Sequence, residues 1–372
     1  MGCKAGEGDG RVFSCVEHHE LVLIIYMWLY LCKRVLLMVP TLLGVLLVTF
    51  TITQFVPGGP VEQYLLRAQN ATAGGEGAGI SMNYRGAQGL DSKRLEEIKA
   101  LYGFDKPASE RFLQMLGQYA RFDLGNSFYQ HRSVWELIVS KLPVSISLGM
   151  WTFLLSYLVA VPLGVAKAVR HGSRFDFLTT LVVLAGYAIP GFVLGVVLLV
   201  LVGGGGIWPV FPLRGLTSTN WQELSTIGKV MDYLWHLVLP VTCMVLGGFA
   251  TLTILTKNSF LEEIRKQYVM TARAKGLSEK KVLWKHVFRN ALIPIVTGFP
   301  SAFVAAFFTG SLLIETLFSL DGLGLLSYDS VMRRDYPVVL GALYIITLIG
   351  LVTKLVADFC YVWVDPRVKF ER

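Results

Sequence analysis

The segment Tyr268-Val-Met-Thr-Ala-Arg-Ala-Lys-Gly-Leu277, continued to Asn290-Ala-Leu-Ile-Pro294, is a charged, glycine-punctuated stretch between two long apolar runs. These runs, 237–256 and 291–314, contain no charged residue. A helix needs roughly 20 apolar residues to cross the hydrocarbon core of a bilayer. The segment is therefore predicted to be a loop between two membrane spans. Its basic, helix-patterned sequence indicates a surface on which another protein docks.

Four more apolar runs extend this pattern over the chain, namely 35–56, 142–166, 177–213 and 338–364. The run 177–213 is too long for one span, but Gly203-Gly-Gly-Gly206 is expected to break it and to leave an interfacial loop. Only 16% of the residues are charged, whereas soluble proteins have about 25%. The sequence predicts an all-α integral membrane protein with six transmembrane helices.

The distribution of Lys and Arg predicts the orientation of these helices. Nine of these residues lie within 257–289, and further basic residues precede the first run, follow the run 142–166 and occupy the C-terminus. Six spans place all of these segments on one side, and short cytoplasmic loops carry an excess of Lys and Arg. The predicted topology is N-in and C-in. The net charge of +8 is assigned to orientation and docking rather than to nucleic-acid binding.

These runs divide the chain into predicted segments. Residues 1–32 are an N-terminal extension that could precede the native start, with Met27 as a candidate start. The alternative is one long tilted helix over 21–56 that buries Lys33 and Arg34, which is costly in a membrane. Residues 33–56 form the first span, and 57–141 form a small helical periplasmic segment with helices near 91–101 and 111–119. Residues 142–364 form the transmembrane core, with a cytoplasmic loop at 257–290, and 365–372 form a cytoplasmic tail.

The cytoplasmic loop is predicted to contain two short helices. Phe260, Ile264, Tyr268 and Ala272 recur every four residues and would share one helix face. Gly276 is a helix stop, and Ser278 is expected to cap a second helix. In that helix an apolar stripe is formed by Leu283, Val287 and Ala291.

Several motifs resemble one known family. Thr271-Ala-Arg-Ala-Lys-Gly276 resembles the EAA loop of ABC-importer permeases in the form of the dipeptide/oligopeptide branch, although Met270 stands where the general pattern has Glu. Further matches are Asp123-Leu-Gly-Asn-Ser127, Glu315-Thr-Leu-Phe318 with Gly322-Leu-Gly324, Arg334-Asp-Tyr-Pro337 and Asp365-Pro-Arg367. The Pro57-Gly-Gly-Pro60 turn and the long exterior segment look like the B-type subunits that serve import of microcin C and oligopeptides.

The resemblance implies a multi-pass inner-membrane permease that forms half of a translocation pathway. Its implied partners are a second permease subunit, cytoplasmic ATPase subunits, a periplasmic solute-binding protein and a peptide substrate. The chain has no G-x-x-x-x-G-K-[ST] phosphate loop, so ATP hydrolysis is expected in a partner chain. No catalytic residue, metal site or cofactor is expected.

The candidate site residues fall into three groups. ATPase coupling is assigned to Thr271, Ala272, Arg273, Ala274, Lys275 and Gly276. A gating or architectural role is assigned to Glu315, Gly322, Gly324 and Asp335. The candidate pore-lining residues are Ser156, Tyr157 and Tyr187. The simpler interpretations are that Gly276 is only a helix stop, that Arg273 and Lys275 are topological charges, and that the aromatic side chains are packing. Lys354 and Asp358, four residues apart, are expected to pair on one helix face.

Three other functions stay open. An ABC permease for another solute, such as nickel or a glycoside, would share most of these motifs. A membrane-embedded enzyme would need a Ser/His set or paired Asp residues at the depth of the spans, and an ion-coupled transporter would show more spans and several midplane acids.

Overall fold

The computed structural model describes residues 9–55, 105–308 and 312–364. Within these ranges the chain is helical and lacks a regular β-strand. The Pro57-Gly-Gly-Pro60 turn, the helix predicted near 91–101 and the terminal Asp365-Pro-Arg367 motif lie outside the described residues.

The helices follow one another in chain order. Residues Asp9–Phe55 form α1, Ala108–Tyr119 α2, Val134–Val169 α3, Arg174–Ala188 α4, Gly191–Val202 α5 and Thr226–Ile264 α6. The next helices are Gln267–Ala274 (α7) and Glu279–Ala291 (α8), the latter with a π-helical turn at Leu283–Val287. The last are Ile293–Phe308 (α9), Leu312–Leu317 (α10), Leu323–Arg333 (α11) and Tyr336–Val364 (α12).

Four of these helices contain stretches long and apolar enough to cross a membrane. The stretches are Leu31–Phe55, Val134–Val169, Thr226–Ile264 and Tyr336–Cys360. Two bent pairs also qualify, since α4 meets α5 at 93° and α8 meets the first part of α9 at 49°. The described residues therefore contain four candidate spans, or up to six if each bent pair is one span. This confirms an all-helical membrane protein.

The third apolar run breaks at the predicted glycines and also once before them. Helix α5 ends at Val202, directly before Gly203–Gly206, so the predicted break is confirmed. A second break, which was not predicted from the sequence, separates the end of α4 at Ala188 from the start of α5 at Gly191. Proline disfavours the helical conformation of the residue before it, and Ile189 is extended. After the bend α5 lies very close to α6, because a Cβ on Gly191 would be 2.5 Å from the Cys243 carbonyl oxygen.

Helix α1 is continuous across the predicted boundary between residues 32 and 33. Lys33 is exposed, and Arg34 forms a 2.8 Å ion pair with Asp358 of α12. The long-helix alternative is correct about continuity, but the basic residues are not buried as it supposed. The predicted pairing of Lys354 with Asp358 is wrong, because Asp358 pairs with α1 and Lys354 is exposed.

Buried side chains gather in clusters towards the two ends of the bundle. The cluster at the α2 end joins α1, α2, α3, α11 and α12, and it includes Phe50, Tyr119 and Tyr344. The cluster at the α7 end joins α3 and α6 to the loop helices α7 and α8. The loop helices are thus part of the packed body of the protein.

Candidate functional site

Helices α7 and α8 form a compact loop unit that packs on the ends of α3 and α6. Val269 and Ala272 of α7 and Val287 of α8 are buried against Phe260 of α6, which is 0% exposed. The predicted apolar stripe of α8 is confirmed, with Leu283 partly buried and Ala291 fully buried. Both loop helices therefore share one buried cluster with the ends of α3 and α6.

The loop departs from the predicted single helix face through 260–272. Helix α6 ends at Ile264 and α7 begins at Gln267, after an extended Lys266. Phe260 and Ala272 are both buried, so the four-residue repeat marks one packed surface although it spans two helices. Tyr268 is 37% exposed and lies off that surface.

Tyr268 instead joins a polar network that closes the base of the loop. Its hydroxyl donates to the Glu263 carboxylate and accepts from Asn290 Nδ2 at 3.0 Å. Burial and the hydrogen bond to Glu263 raise the pKa of Tyr268, and the Glu263 hydrogen bond raises the pKa of Lys266. Both groups therefore stay protonated at neutral pH, and the network keeps its hydrogen bonds there.

Gly276 ends α7 with a positive φ of +80°. Side chains other than Gly and Asn rarely adopt this conformation, and the site is open, with nothing within 4 Å of a built Cβ. Ser278 stands at the predicted N-cap position of α8, but its side chain makes no capping hydrogen bond. The position of the turn is confirmed, and the capping bond is not.

The six predicted coupling residues are not all on the surface. Thr271, Ala274, Lys275 and Gly276 are exposed, whereas Ala272 is buried in the core cluster. Arg273 Nε and Nη2 donate to the two carboxylate oxygens of Glu279 at 2.9 and 3.1 Å. Arg273, which was assigned to ATPase coupling from the sequence, therefore has an ion-pair partner within the chain.

The exposed tip of the loop combines apolar and basic side chains. Met270 is 53% exposed and Trp284 is 56% exposed. We define the docking surface by its exposed members, which are Met270, Ala274, Lys275, Leu277, Lys280, Lys281, Trp284 and Lys285. Large exposed apolar side chains rimmed by charges are typical of protein interaction sites.

Glu315 is fully buried and caps the N-terminus of α11. Its Oε2 accepts a hydrogen bond from the Leu325 amide at 2.7 Å, and its Oε1 lies 3.4 Å from the Gly324 amide. A Cβ on Gly322 would lie 2.6 Å from Glu315 Cδ. The structure thus brings together Glu315, Gly322 and Gly324, three of the four residues predicted to be gating or architectural.

The same turn is tied to α3 by contacts that sequence reasoning missed. The Leu323 amide donates to Ser145 Oγ at 2.9 Å, and Lys141 forms an ion pair with Asp321. Ser145 is one of several serines in an apolar run and carries no distinguishing sequence signal. Lys141 was assigned no role from the sequence.

Asp335, the fourth of these residues, makes a separate contact. It is 3% exposed, and its carboxylate accepts from Ser127 Oγ at 2.5 Å and from the Phe128 amide at 3.0 Å. Two motifs quoted from the sequence, one before α3 and one before α12, are therefore hydrogen-bonded to each other across 208 positions.

The candidate pore-lining residues are dispersed. Ser156 is 9% exposed, and Tyr157 packs against Phe153 and Phe299 with ring centroids 4.5 and 5.3 Å apart. Tyr187, in the last turn of α4, is 58% exposed. Phe299 of α9 is 42% exposed and was not singled out from the sequence, because an aromatic residue in an apolar run has no distinguishing pattern.

A family comparison covers the part of the chain that contains most of these sites. Residues 160–370 match the family described as binding-protein-dependent transport system inner membrane component. The chain belongs to this family. The match includes the loop unit and the Glu315 turn, and it identifies the chain as a multi-pass inner-membrane permease component.

Relatives from three bacteria align along almost the whole chain. The chain is 51% identical to the peptidoglycan transport system permease protein YejB of Agrobacterium fabrum, with 92% of this chain and 98% of that protein aligned. It is 52% identical to the inner membrane ABC transporter permease protein YejB of Escherichia coli O157:H7, with 92% and 99% aligned. The dipeptide transport system permease protein DppB of Escherichia coli K12 is 30% identical, with 92% and 99% aligned.

Proposed function

We propose that this chain is one of two permease subunits of an ABC importer for oligopeptides or peptide-like compounds such as microcin C. The observation that carries the proposal is the docking surface, an exposed apolar and basic tip on a loop packed into the helix bundle. A cytoplasmic ATPase binds there, hydrolyses ATP and moves the loop. A periplasmic solute-binding protein delivers the substrate at the α2 end.

The proposed topology has six spans with both termini in the cytoplasm. Each bent pair, α4 with α5 and α8 with α9, then counts as one span. This arrangement puts the nine basic residues of 257–289 on the cytoplasmic side, as the positive-inside rule requires. It also puts the segment 57–141 in the periplasm.

We assign Thr271–Gly276 to ATPase coupling, with Ala272 as a packing residue beneath the surface and Arg273 as part of an internal ion pair. Glu315, Gly322 and Gly324 fix the geometry of the turn between α10 and α11, and Asp335 fixes the start of α12. Ser156, Tyr157 and Tyr187 line one half of the pathway, and a second permease chain closes the other half.

A peptide-like substrate is favoured over nickel or a glycoside. Two of the relatives that align over more than nine-tenths of the chain are named for peptidoglycan and dipeptide transport. The described residues also contain no group of three or more His, Cys, Asp or Glu placed to hold a metal ion, so no structural feature there favours a nickel permease.

Deleting the gene is expected to make cells resistant to a toxic peptide that enters through this importer. The strain must lack its other peptide importers, so that no second route masks the effect. Deleting the partner permease should give the same resistance, because neither half closes the pathway alone. The readout is growth inhibition, with restoration by a plasmid copy as control. Sensitivity that persists in the deletion strain would rule out a peptide permease.

The topology is tested with single cysteines at two exposed serines, in a variant whose five native cysteines are replaced. Ser109→Cys in α2 should react with an impermeant thiol reagent in cells whose outer membrane admits it. Ser278→Cys, in the loop unit, should react only after the inner membrane is disrupted. Both side chains are exposed, so they are matched in accessibility. The reverse labelling pattern would invert the proposed topology.

A further inference from the structure

A buried charge cluster joins three helix ends beside the loop unit. Asp176 in the first turn of α4 is 5% exposed, and Lys167 in the last turn of α3 is 1% exposed. Lys257 of α6 donates to both Asp176 carboxylate oxygens at 2.7 and 2.8 Å. Lys167 Nζ lies 3.2 Å from Asp176 Oδ1. One carboxylate therefore holds two lysines that come from two other helices.

The remaining contacts fix the cluster from all sides. Lys167 Nζ donates to the Asp176 carbonyl oxygen at 2.9 Å and to the hydroxyls of Thr179 and Thr180 at 2.8 and 2.7 Å. The Gly172 amide donates to Asp176 Oδ2 at 3.2 Å, and His171 Nδ1 lies 3.3 Å from the same oxygen. Because every contact is directional and most are charged, the three helix ends are held in one relative position.

The position of Lys257 connects this cluster to the docking surface. Lys257 lies about one turn before Phe260, which is fully buried beneath α7 and α8. Near the same level α3 and α6 are in backbone contact, since a Cβ on Gly164 would lie 2.8 Å from the Thr253 carbonyl oxygen. A displacement of the loop unit is therefore passed to α6 and α3 together, and through Asp176 to α4.

Helix α4 leads in turn to the bend at Pro190 and to α5. Helix α5 packs closely on α10, because a Cβ on Gly195 would lie 2.6 Å from Leu317 Cδ2. Leu317 is two residues from Glu315, the cap of α11. A contiguous series of packed elements thus runs from the loop unit, through Asp176, to the Glu315 turn.

We propose that Asp176 is a positioning residue for transport, which makes the ends of α3, α4 and α6 move as one body with the loop unit. This inference rests on the proposed function. Asp176 is 5% exposed and its ion pairs lie within the chain, so the proposed role is to hold the helix ends together rather than to bind the ATPase or the substrate. An alternative role is simple neutralisation of two buried ammonium groups, and the two roles respond differently to substitution.

The test uses the complete importer in liposomes, with both permeases, the ATPase subunits and the binding protein, and it measures peptide taken up per ATP hydrolysed. Asp176→Asn should lower this ratio by about tenfold, within the range of coupling between distant sites, while the ATPase still co-purifies. The double variant Asp176→Asn with Lys257→Met removes one positive charge as well. It should assemble at least as well as the single variant but keep the lowered ratio.

Asp358→Asn is the matched control, because it also removes a carboxylate that pairs two helices, but α1 and α12 do not carry the loop. It should keep the wild-type ratio. A wild-type ratio in Asp176→Asn, or its recovery in the double variant, would overturn the positioning role. If the importer with Asp176→Asn does not assemble, the ratio is measured in the charge-balanced double variant instead. A wild-type ratio there overturns the positioning role, and a lowered ratio supports it. A wild-type complex whose ATP hydrolysis does not respond to peptide would refute the proposed function itself.

Discussion

Replacing Gly276 with arginine is expected to abolish peptide uptake while the chain stays in the membrane at its normal level. The backbone at Gly276 has a φ of +80°, which is strained for a residue with a side chain by roughly 1–2 kcal/mol. The site is open, so the arginine does not disturb the packed core. It projects at the tip of the docking surface, where an approaching ATPase would meet it.

The measurement is uptake of labelled peptide together with co-purification of the ATPase, and both should fall to the level of the gene deletion. Gly276→Asn is the matched control, because Asn tolerates positive φ and is much shorter, so it should retain most of the uptake. Normal uptake with Gly276→Arg at full expression would remove the loop from the coupling mechanism. An equal loss in both variants would point to the turn conformation rather than to the docking surface.

Gly322→Ala is expected to destabilise the permease and to lower the yield of folded protein. The added methyl group would lie 2.6 Å from Glu315 Cδ and 2.8 Å from Glu315 Oε2. To avoid it, the carboxylate must leave the Leu325 and Gly324 amides. Overpacking of this kind costs about 1–3 kcal/mol, and the abandoned buried amides add to that cost.

The effect is measured as the midpoint temperature of thermal unfolding in detergent. Size-exclusion chromatography monitors the amount of folded protein that remains at each temperature. Gly350→Ala in α12 is the control, because nothing lies within 4 Å of its built Cβ and alanine is the better helix former. It should unfold at or slightly above the wild-type temperature. Equal midpoints for Gly322→Ala and the wild type would show that Glu315 is not held against the α11 turn.

The helical class and the loop unit were predictable from local sequence because their signals are local. Charge-free runs mark the spans, and glycine at 276 marks a turn that requires positive φ. The role of Glu315 and Gly322 was instead implied by the resemblance to a known family, and the structure shows the physical reason, since a Cβ at Gly322 would meet the Glu315 carboxylate.

Contacts between distant helices could not be predicted in the same way. Asp358 was predicted to pair with Lys354 because residues four positions apart share one face of a helix. Its ion-pair partner in the structure is Arg34 of α1, which the sequence spacing does not indicate. Lys257 was counted as a topological charge, although it holds Asp176 across 81 positions. Which charges meet depends on how the helices pack, and that packing has no local signature.

The break in the third apolar run shows a different limit. Glycines at 203–206 and a proline at 190 both disfavour continuous helix, and the structure breaks at both places. Only the glycines were taken from the sequence as a break, because prolines also stand inside continuous helices, as Pro143 and Pro162 do in α3. Sequence propensity alone therefore does not tell whether a single proline ends a helix.

The cluster at the α2 end also sets an order of events during synthesis. Tyr344 donates to the Tyr119 carbonyl oxygen, and Ser127 donates to Asp335. In each pair the second residue is synthesised more than 200 positions after the first. Until α12 leaves the ribosome, Phe50 and Tyr119 lack the neighbours that α12 supplies to their cluster. A chain cut short before α12 leaves this apolar surface uncovered, so we expect it to aggregate or to be degraded more readily than the complete chain.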